Sequence, residues 1–432
     1  MSFLDELAAR RRFGMKPGLE TIRNLCAALG DPQLKFKAIH VAGTNGKGAV
    51  CAILDAALRA ASRIRDQGSG IGDQKLRVGR YTSPHLVKIN ERFFLDGAPV
   101  DDAILERIAE KVEHSIVRLR LTTTTTFFEA LTAVAFELYA EAKVDYAILE
   151  CGLGGRLDAT NVCDPALSVI TRVGLDHCDW LGDTVEKIAA EKAGIVKPGV
   201  PVVLGRNEPE VVEVIRRRAE EVGAPFHYAP DLANESEIPS DFSLPGAFNR
   251  ENAVTALAAL RVLKHSNTQT LKQFSHVVWP GRFQRVGNFI VDGAHNPPAA
   301  RALRTALEAE DFRQKTLDLI CGFCGDKDVG EVLSILAPVV KKGYAVRTNN
   351  PRSLSAAETA ANMRAVGIDA VPCASIREAI DRASGTSNLK HSNTQTLICG
   401  SLFLAGEALV ELGAYPWDSS RFDLSELLRS AN

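Results

Sequence analysis

The chain has 432 residues, 46% of them hydrophobic and 24% charged, which excludes disordered and fibrous classes and leaves apolar side chains for more than one core. Its 51 lysines and arginines nearly balance 53 acidic residues, for a formal net charge of -2, which argues for small-molecule partners and against a dedicated nucleic-acid or membrane-surface binder. The charged N-terminus lacks the apolar stretch of a secretory signal, no run is long enough to span a membrane, and nine scattered cysteines read as reduced thiols, so a cytoplasmic protein is expected.

The first strongly patterned element is the strand-like run "FKAIHVAG", which passes into "TNGKGAV" and then a helical pattern. Gly43, Gly46 and Gly48 allow close backbone approach, so N–H groups can cradle phosphate oxygens at a helix start, while Lys47 adds a point charge. The loop departs from G-x-x-x-x-G-K-[ST]. Val41 stands at the first glycine, Gly48 at the magnesium-binding hydroxyl, and Ala49 after it has no hydroxyl either. An ordinary glycine turn capping a strand is the bland reading of the same residues.

Residues 62–75, "SRIRDQGSGIGDQK", read as a flexible excursion before a strand in "LRVGRYTSP". The threonine run Thr122 to Thr126 leads into "FFEALTAVAFELYAEA", where Phe127, Leu131, Val134 and Leu138 repeat at helical spacing. Strand-like runs follow at "VDYAILECG", "ALSVITRVG" and "VPVVLG", and their alternation with helical segments predicts a mainly parallel α/β sheet with ligands at the carboxyl ends of its strands. If the loop holds a nucleotide, metal ligands must come from other strand ends. Ser83 in "YTSPH", Glu150 in "AILECGLGG" and His177 in "GLDHCDWLG" are the candidates, each with a bland alternative as turn cap, strand-end charge or loop histidine.

The polar nonapeptide "LKHSNTQTL" occurs at 263–271 and, identically, at 389–397, and reads as a duplicated surface segment without catalytic duty. Proline and glycine in "WPGRFQRVG" mark a join at about 279–287. A second β-then-α series then begins, with strands in "NFIVDGAHN", "TLDLICGF", "GYAVRTNN", "IDAVPCA" and "TLICGS", and predicts a smaller Rossmann-like sheet. Cys321 and Cys324 have C-x-x-C spacing, but no second pair completes a metal set, so core packing is expected for them.

Taken together, "HVAGTNGKG", "YTSPHL", "LECGLGGRLDATN", "LDHCDWLG", "EKAGI", "PGRFQ" and "DGAHNP" resemble the folylpolyglutamate synthase and dihydrofolate synthase family of the Mur ligase superfamily, from about residue 13 to about residue 407. The resemblance implies an N-terminal P-loop-type ATPase domain (1–280), a hinge (281–288) and a C-terminal Rossmann-like domain (289–432). It implies ATP-dependent joining of L-glutamate to a dihydropteroate or reduced folate carboxylate, through an acyl phosphate, by a cytoplasmic monomer. By the same resemblance ATP and Mg2+ are the cofactors. Thr44, Asn45, Gly46, Lys47 and Gly48 match the ATP loop, with Asn252, Arg282 and Asp292 as further ATP residues. Ser83, Glu150 and His177 match magnesium ligands, and Lys192 matches a lysine carried as a carbamate beside a second magnesium. Thr126, Phe127, Phe128, Glu129 and Asp158 match the pteroate site, and His295 a position near the incoming glutamate. Ala49 departs from the family's serine or threonine. Two other readings stay open: a Mur-type ligase acting on another carboxylate, and a nucleotide-binding relative that has lost catalysis.

Overall fold

A computed structural model describes residues 3–10, 18–61, 75–310, 312, 317–384 and 395–417. The expected excursion at 62–74, the start of the family resemblance at 13–17 and residues 389–394 of the second nonapeptide lie outside the described residues. The chain divides into two compact units, Met1–Trp279 and Pro280–Asn432.

In the first unit the strands are β1 (Lys37–Ala42), β2 (Val78–Tyr81), β3 (Phe93–Leu95), β4 (Ala98–Pro99), β5 (Tyr146–Glu150), β6 (Pro165–Ile170), β7 (Val202–Leu204) and β8 (Phe226–Tyr228). They form one sheet in the order β4-β3-β2-β5-β1-β6-β7-β8, parallel from β2 to β8 and antiparallel at the β3 and β4 edge. The central four strands fix where chemistry can occur. β2, β5, β1 and β6 are parallel neighbours about 4.8 Å apart, so the loops after Tyr81, Glu150, Ala42 and Ile170 leave the sheet side by side.

Alternation along β1 divides the apolar interior. Ile39 and Val41 join a core with helices Lys47–Arg59 and Ala247–Val262, whereas Ala38 faces helices Glu20–Ala28, Asp102–Arg118 and Phe127–Glu141 on the other side. Both faces of the sheet are covered, which is why these strands read as continuous apolar runs and not as alternating ones. Helix Phe127–Glu141 forms where expected, with Leu131, Val134 and Leu138 buried.

The second unit holds β9 (Gln284–Val286), β10 (Phe289–Val291), β11 (Leu317–Cys321), β12 (Val340–Ala345), β13 (Asp369–Pro372) and β14 (Thr396–Cys399), in the order β13-β12-β11-β14-β10-β9. Only β9 is antiparallel. β9 lies inside the stretch read as a hinge, so residues 284–286 belong to the second sheet. The parallel pair β10 and β14 sends its following loops out together, and Gly400 N donates to Ala294 O at 2.9 Å. Cys321 and Cys324 are free and buried, with the Cys321 thiol 3.4 Å from Met363 Sδ, as core packing predicts.

The first nonapeptide is not a bare surface segment. His265 is buried against Tyr146, with Nε2 3.2 Å from the phenol oxygen, and Asn267 caps helix Thr268–Lys272 by accepting from Gln269 N and Thr270 N. Among the described residues no helix is long and apolar enough to cross a membrane.

Ile148 on β5 is fully buried between neighbouring strands and helix Lys47–Arg59. We predict that Ile148→Ala destabilises the first unit by about 2–5 kcal/mol, through lost transfer energy and the cavity left behind. Leu34→Ala, at a 60% exposed side chain, should change stability by less than about 0.5 kcal/mol. Urea midpoints of the two variants measure the contrast.

Candidate active site

The loop after β1 turns with Gly43 at φ 150° and Gly46 at φ 88°, and helix Lys47–Arg59 starts immediately after it. Glycine is required for packing as well as for backbone angle. A Cβ on Gly43 would lie 1.9 Å from Thr171 Oγ1, and one on Gly46 would lie 2.2 Å from Asn252 Oδ1. The loop is therefore clamped from both sides by polar side chains. Thr44 N and Asn45 N donate to Arg172 O at 2.8 and 3.2 Å, the Thr44 hydroxyl donates to Gly174 O at 3.0 Å, and Thr171 Oγ1 donates to Asn45 O at 2.7 Å. These bonds tie the loop to the end of β6, on the path to His177.

Two ammonium groups meet at this turn. Lys47 Nζ donates to Gly43 O and Thr44 O, both at 3.1 Å, and Lys192 Nζ donates to Gly43 O at 2.9 Å. Lys192 sits on helix Val185–Ala193 and is 3% exposed. Burial, and then the charge of Lys47, lower its pKa from 10.5 to about 7, while Cys151, Asp176 and Asp158 act the other way. The solvated helix lysine that a bland reading would favour is ruled out here. Ala49 is buried in the apolar core, so its missing hydroxyl removes no solvent-facing group from the loop.

Glu150 ends β5 as a buried carboxylate, and its Oε2 accepts from Ser83 N at 3.0 Å. The structure thus brings two of the three expected metal residues together. His177 has φ 52° at the start of the short helix Cys178–Leu181, and its Nε2 lies 3.9 Å from Asp176 Oδ1. Among the described residues no three His, Cys, Asp or Glu side chains are grouped as a metal cluster. Magnesium binds through one or two carboxylates and completes its shell with waters and substrate phosphates. The hard oxygens of Glu150 and Ser83 beside a glycine cradle suit such an ion.

Several residues expected to face a pteroate ligand have their polar atoms engaged in shaping loops. Asp158 is buried and accepts from Gly152 N, Leu153 N and Thr160 N at 2.8–3.0 Å and from Thr160 Oγ1 at 2.5 Å. Burial raises its pKa and these donors oppose the rise. Thr126 and Glu129 form a capping box: Thr126 N and Oγ1 each donate to Glu129 Oε2 at 2.8 Å, and Glu129 N donates to Thr126 Oγ1 at 3.2 Å. Phe128 packs 6.0 Å from the Tyr81 ring and against Gly152, where a Cβ would lie 2.6 Å from its ring. The half-buried Phe127 carries the Arg92 guanidinium 5.6 Å from its centroid, and Arg92 Nε donates to His85 Nδ1 at 2.9 Å.

A buried polar set was not anticipated from the sequence. His40 on β1 has its Nε2 2.8 Å from Thr160 Oγ1 and 3.1 Å from Cys151 Sγ. Burial, reinforced by Lys197, lowers its pKa to about 3 and keeps the imidazole neutral. It extends the Thr160–Asp158 bond to the strand that carries the phosphate loop. The one sequence signal is a histidine among apolar residues of a central strand.

In the second unit Asp292 follows β10 and accepts from Phe283 N at 2.8 Å and Ala294 N at 2.7 Å, and Arg282 partly offsets the rise in its pKa caused by burial. A Cβ on Gly293 would lie 2.6 Å from Arg282 Nη1. His295 Nδ1 is 2.8 Å from Gly293 O, and Asn296 caps helix Pro297–Ala309. Arg282, Asp292 and His295 thus share one turn at the β10 end.

Comparison with known proteins identifies the family. A family model for the Mur ligase middle domain matches residues 41–222, and one for the Mur ligase glutamate ligase domain matches residues 281–402. The dihydrofolate synthase/folylpolyglutamate synthase of Bacillus subtilis is 34% identical over 375 residues, covering 80% of this chain and 84% of that protein. A Mycobacterium tuberculosis folylpolyglutamate synthase structure, complexed with ADP and AMPPCP, superposes with a TM-score of 0.82 at 30% identity, over 96% of this chain and all of that one. A bifunctional folylpolyglutamate synthase/dihydrofolate synthase with Mn, AMPPNP and L-glutamate bound gives a TM-score of 0.80 at 31% identity, over 96% of this chain and 98% of that one. By these matches, which span most of its length, the chain belongs to the folylpolyglutamate synthase and dihydrofolate synthase family of Mur ligases.

Proposed function

We propose that this protein uses ATP to join the amino group of L-glutamate to the carboxylate of dihydropteroate, of a reduced folate, or of both. The observation that carries the reading is the convergence of Lys47 and Lys192 on Gly43 O at the start of a buried helix, beside the Ser83–Glu150 pair. A carboxylate is a poor electrophile. Its oxygen attacks the γ-phosphorus of ATP, giving an acyl phosphate and ADP, and the glutamate amine then attacks the acyl carbon and expels phosphate.

In this reading the backbone N–H groups from Gly46 to Gly48, at the start of helix Lys47–Arg59, hold the phosphates, and Lys47 leaves the Gly43 and Thr44 carbonyls to neutralise the transferring phosphoryl group. Asn252 lies against Gly46 and contributes to the nucleotide site, and within the second unit Asp292 accepts from Phe283 N and so holds the segment that carries Arg282. Ser83, Glu150 and His177 hold magnesium, which supplies charge neutralisation at the phosphates. Phe127, Phe128 and the loop anchored by Asp158 accept the pteroate, and Thr126 with Glu129 fixes the helix that bears the aromatic pair. His295, whose Nδ1 lies 2.8 Å from Gly293 O, takes a place near the incoming glutamate.

Lys192 is poised for carbamate formation. The neutral amine adds CO2 to give a carbamate and one proton, and the resulting anion attracts Lys47 where the ammonium repelled it. The neutral fraction rises as pH increases through about 7, so carbamate formation follows the same direction. Below that pH the buried ammonium disfavours the folded state, and this penalty is relieved as pH rises toward the ordinary lysine value. We expect 13C-bicarbonate to label the protein more strongly above pH of about 7 than below it, and Lys192→Arg to abolish the signal. Equal labelling of the arginine variant would reject the assignment.

Glu150→Gln keeps an acceptor for Ser83 N but removes the charge. It should lower ligation about 10–100-fold and raise the magnesium needed for half-maximal rate, without changing the circular dichroism spectrum. An unaltered magnesium dependence would remove Glu150 from the metal site. Asp158→Asn places an NH2 group against backbone donors and should destabilise the loop by about 1–3 kcal/mol, raising KM for the pteroate substrate more than KM for ATP. Equal changes in both constants would assign Asp158 a broader role.

A further inference from the structure

Gly48 is glycine for a reason that its backbone does not supply. It lies in the first turn of helix Lys47–Arg59 and is absent from the positive-φ positions, so its conformation suits any residue. What excludes a side chain is the ring of Trp279. A Cβ at position 48 would lie 2.1 Å from Cζ2, 2.9 Å from Cε2 and 3.0 Å from Cη2 of the indole. These are atoms of a rigid ring, which cannot swing aside as the end of a long flexible side chain does.

The indole is itself backed by a buried cation. The Arg80 guanidinium lies 5.5 Å from the Trp279 ring centroid and 3.8 Å from that of Phe94, and pairs with Asp55 at 3.3 Å. Asp55 is on the same helix as Gly48, and Arg80 is three residues before Ser83 on the strand that leads to it. Both Arg80 and Asp55 are buried, and among the described residues Arg80 Nε has no hydrogen-bond partner. A buried ion pair is worth retaining only if its geometry is held, and here the stacked rings hold it.

We propose that Trp279 is a positioning residue for ATP: it occupies the space that a hydroxyl-bearing side chain at position 48 would need, and sets the first turn that carries Lys47. The inference rests on the reading of the 43–48 turn as the ATP loop. It explains why the hydroxyl of the ordinary phosphate loop is missing here and why a metal ligand must come from another strand end. The Arg80–Asp55 pair links that other strand, β2, to the same helix.

The test uses the protein and five variants, Gly48→Ser, Gly48→Ala, Trp279→Phe, Gly48→Ser/Trp279→Phe and Lys47→Ala, in steady-state ligation and in thermal unfolding. Forcing a side chain into the occupied space should raise KM for ATP about tenfold in Gly48→Ser, with Gly48→Ala intermediate and KM for glutamate unchanged. Trp279→Phe alone should raise KM for ATP about threefold and leave KM for glutamate unchanged, since a smaller aromatic keeps the Arg80 contact but withdraws the ring atoms that set the turn at position 48. The double variant should then recover most of the affinity lost in Gly48→Ser. Unimpaired Gly48→Ser, or a double variant no better than Gly48→Ser, would overturn the proposal. Coupling between the two positions in Tm reports the contact even if the loop has another ligand. Lys47→Ala with unchanged ATP affinity would instead overturn the ATP-loop reading and leave the contact standing.

Discussion

The carbonyl oxygen of Gly43 is the atom on which the site depends. It accepts from Lys47 at 3.1 Å and from Lys192 at 2.9 Å, so two ammonium groups share one acceptor at the foot of a helix. Only a glycine at that position, with Thr171 Oγ1 pressed into the place of a Cβ, lets the strand turn so that its carbonyl faces both lysines. Burial first, and then the neighbouring Lys47 charge, lowers the Lys192 pKa, and in the proposed reaction phosphate oxygens and a carbamate on Lys192 would each answer the positive charge gathered there.

A second theme is the separation between groups that shape the site and groups that act in it. Asp158, Glu129 and Asp292 all belong to motifs that resemble ligand-binding segments, yet each carboxylate accepts from backbone N–H groups of its own loop or cap. Buried carboxylates in loops and helix caps are well suited to this work, because a loop that must present its backbone to a ligand has no strand partners to hold it. His40 and Thr160 extend the anchoring of Asp158 into the central strand, so the GLGGR loop and the phosphate loop are braced from a common element.

The sheet and the glycine turn after β1 were legible in the sequence because they depend on local signals: apolar runs covered on both faces, glycines at a turn, a helix behind. The edge strands β3, β4, β8 and β9 were not, since two or three residues such as "AP" or "QRV" have no period of their own and are strands only through their neighbours. The repeated nonapeptide makes the same point sharply. Thr270 and Leu271 lie in a helix, whereas the identical Thr396 and Leu397 lie in the fully buried strand β14. The paired lysines and the Trp279 ring at Gly48 were equally invisible, because they join residues separated by well over a hundred positions.

The central claim is that the chemistry proceeds through an acyl phosphate formed at this turn, and isotope transfer tests it most directly. With dihydropteroate labelled by 18O in its carboxylate, together with ATP, magnesium and glutamate, each turnover should deliver one labelled oxygen to the released inorganic phosphate. The oxygen that bonds to phosphorus in the first step leaves with it in the second. Glutamylated product accompanied by unlabelled phosphate would contradict the account, and so would label appearing in AMP.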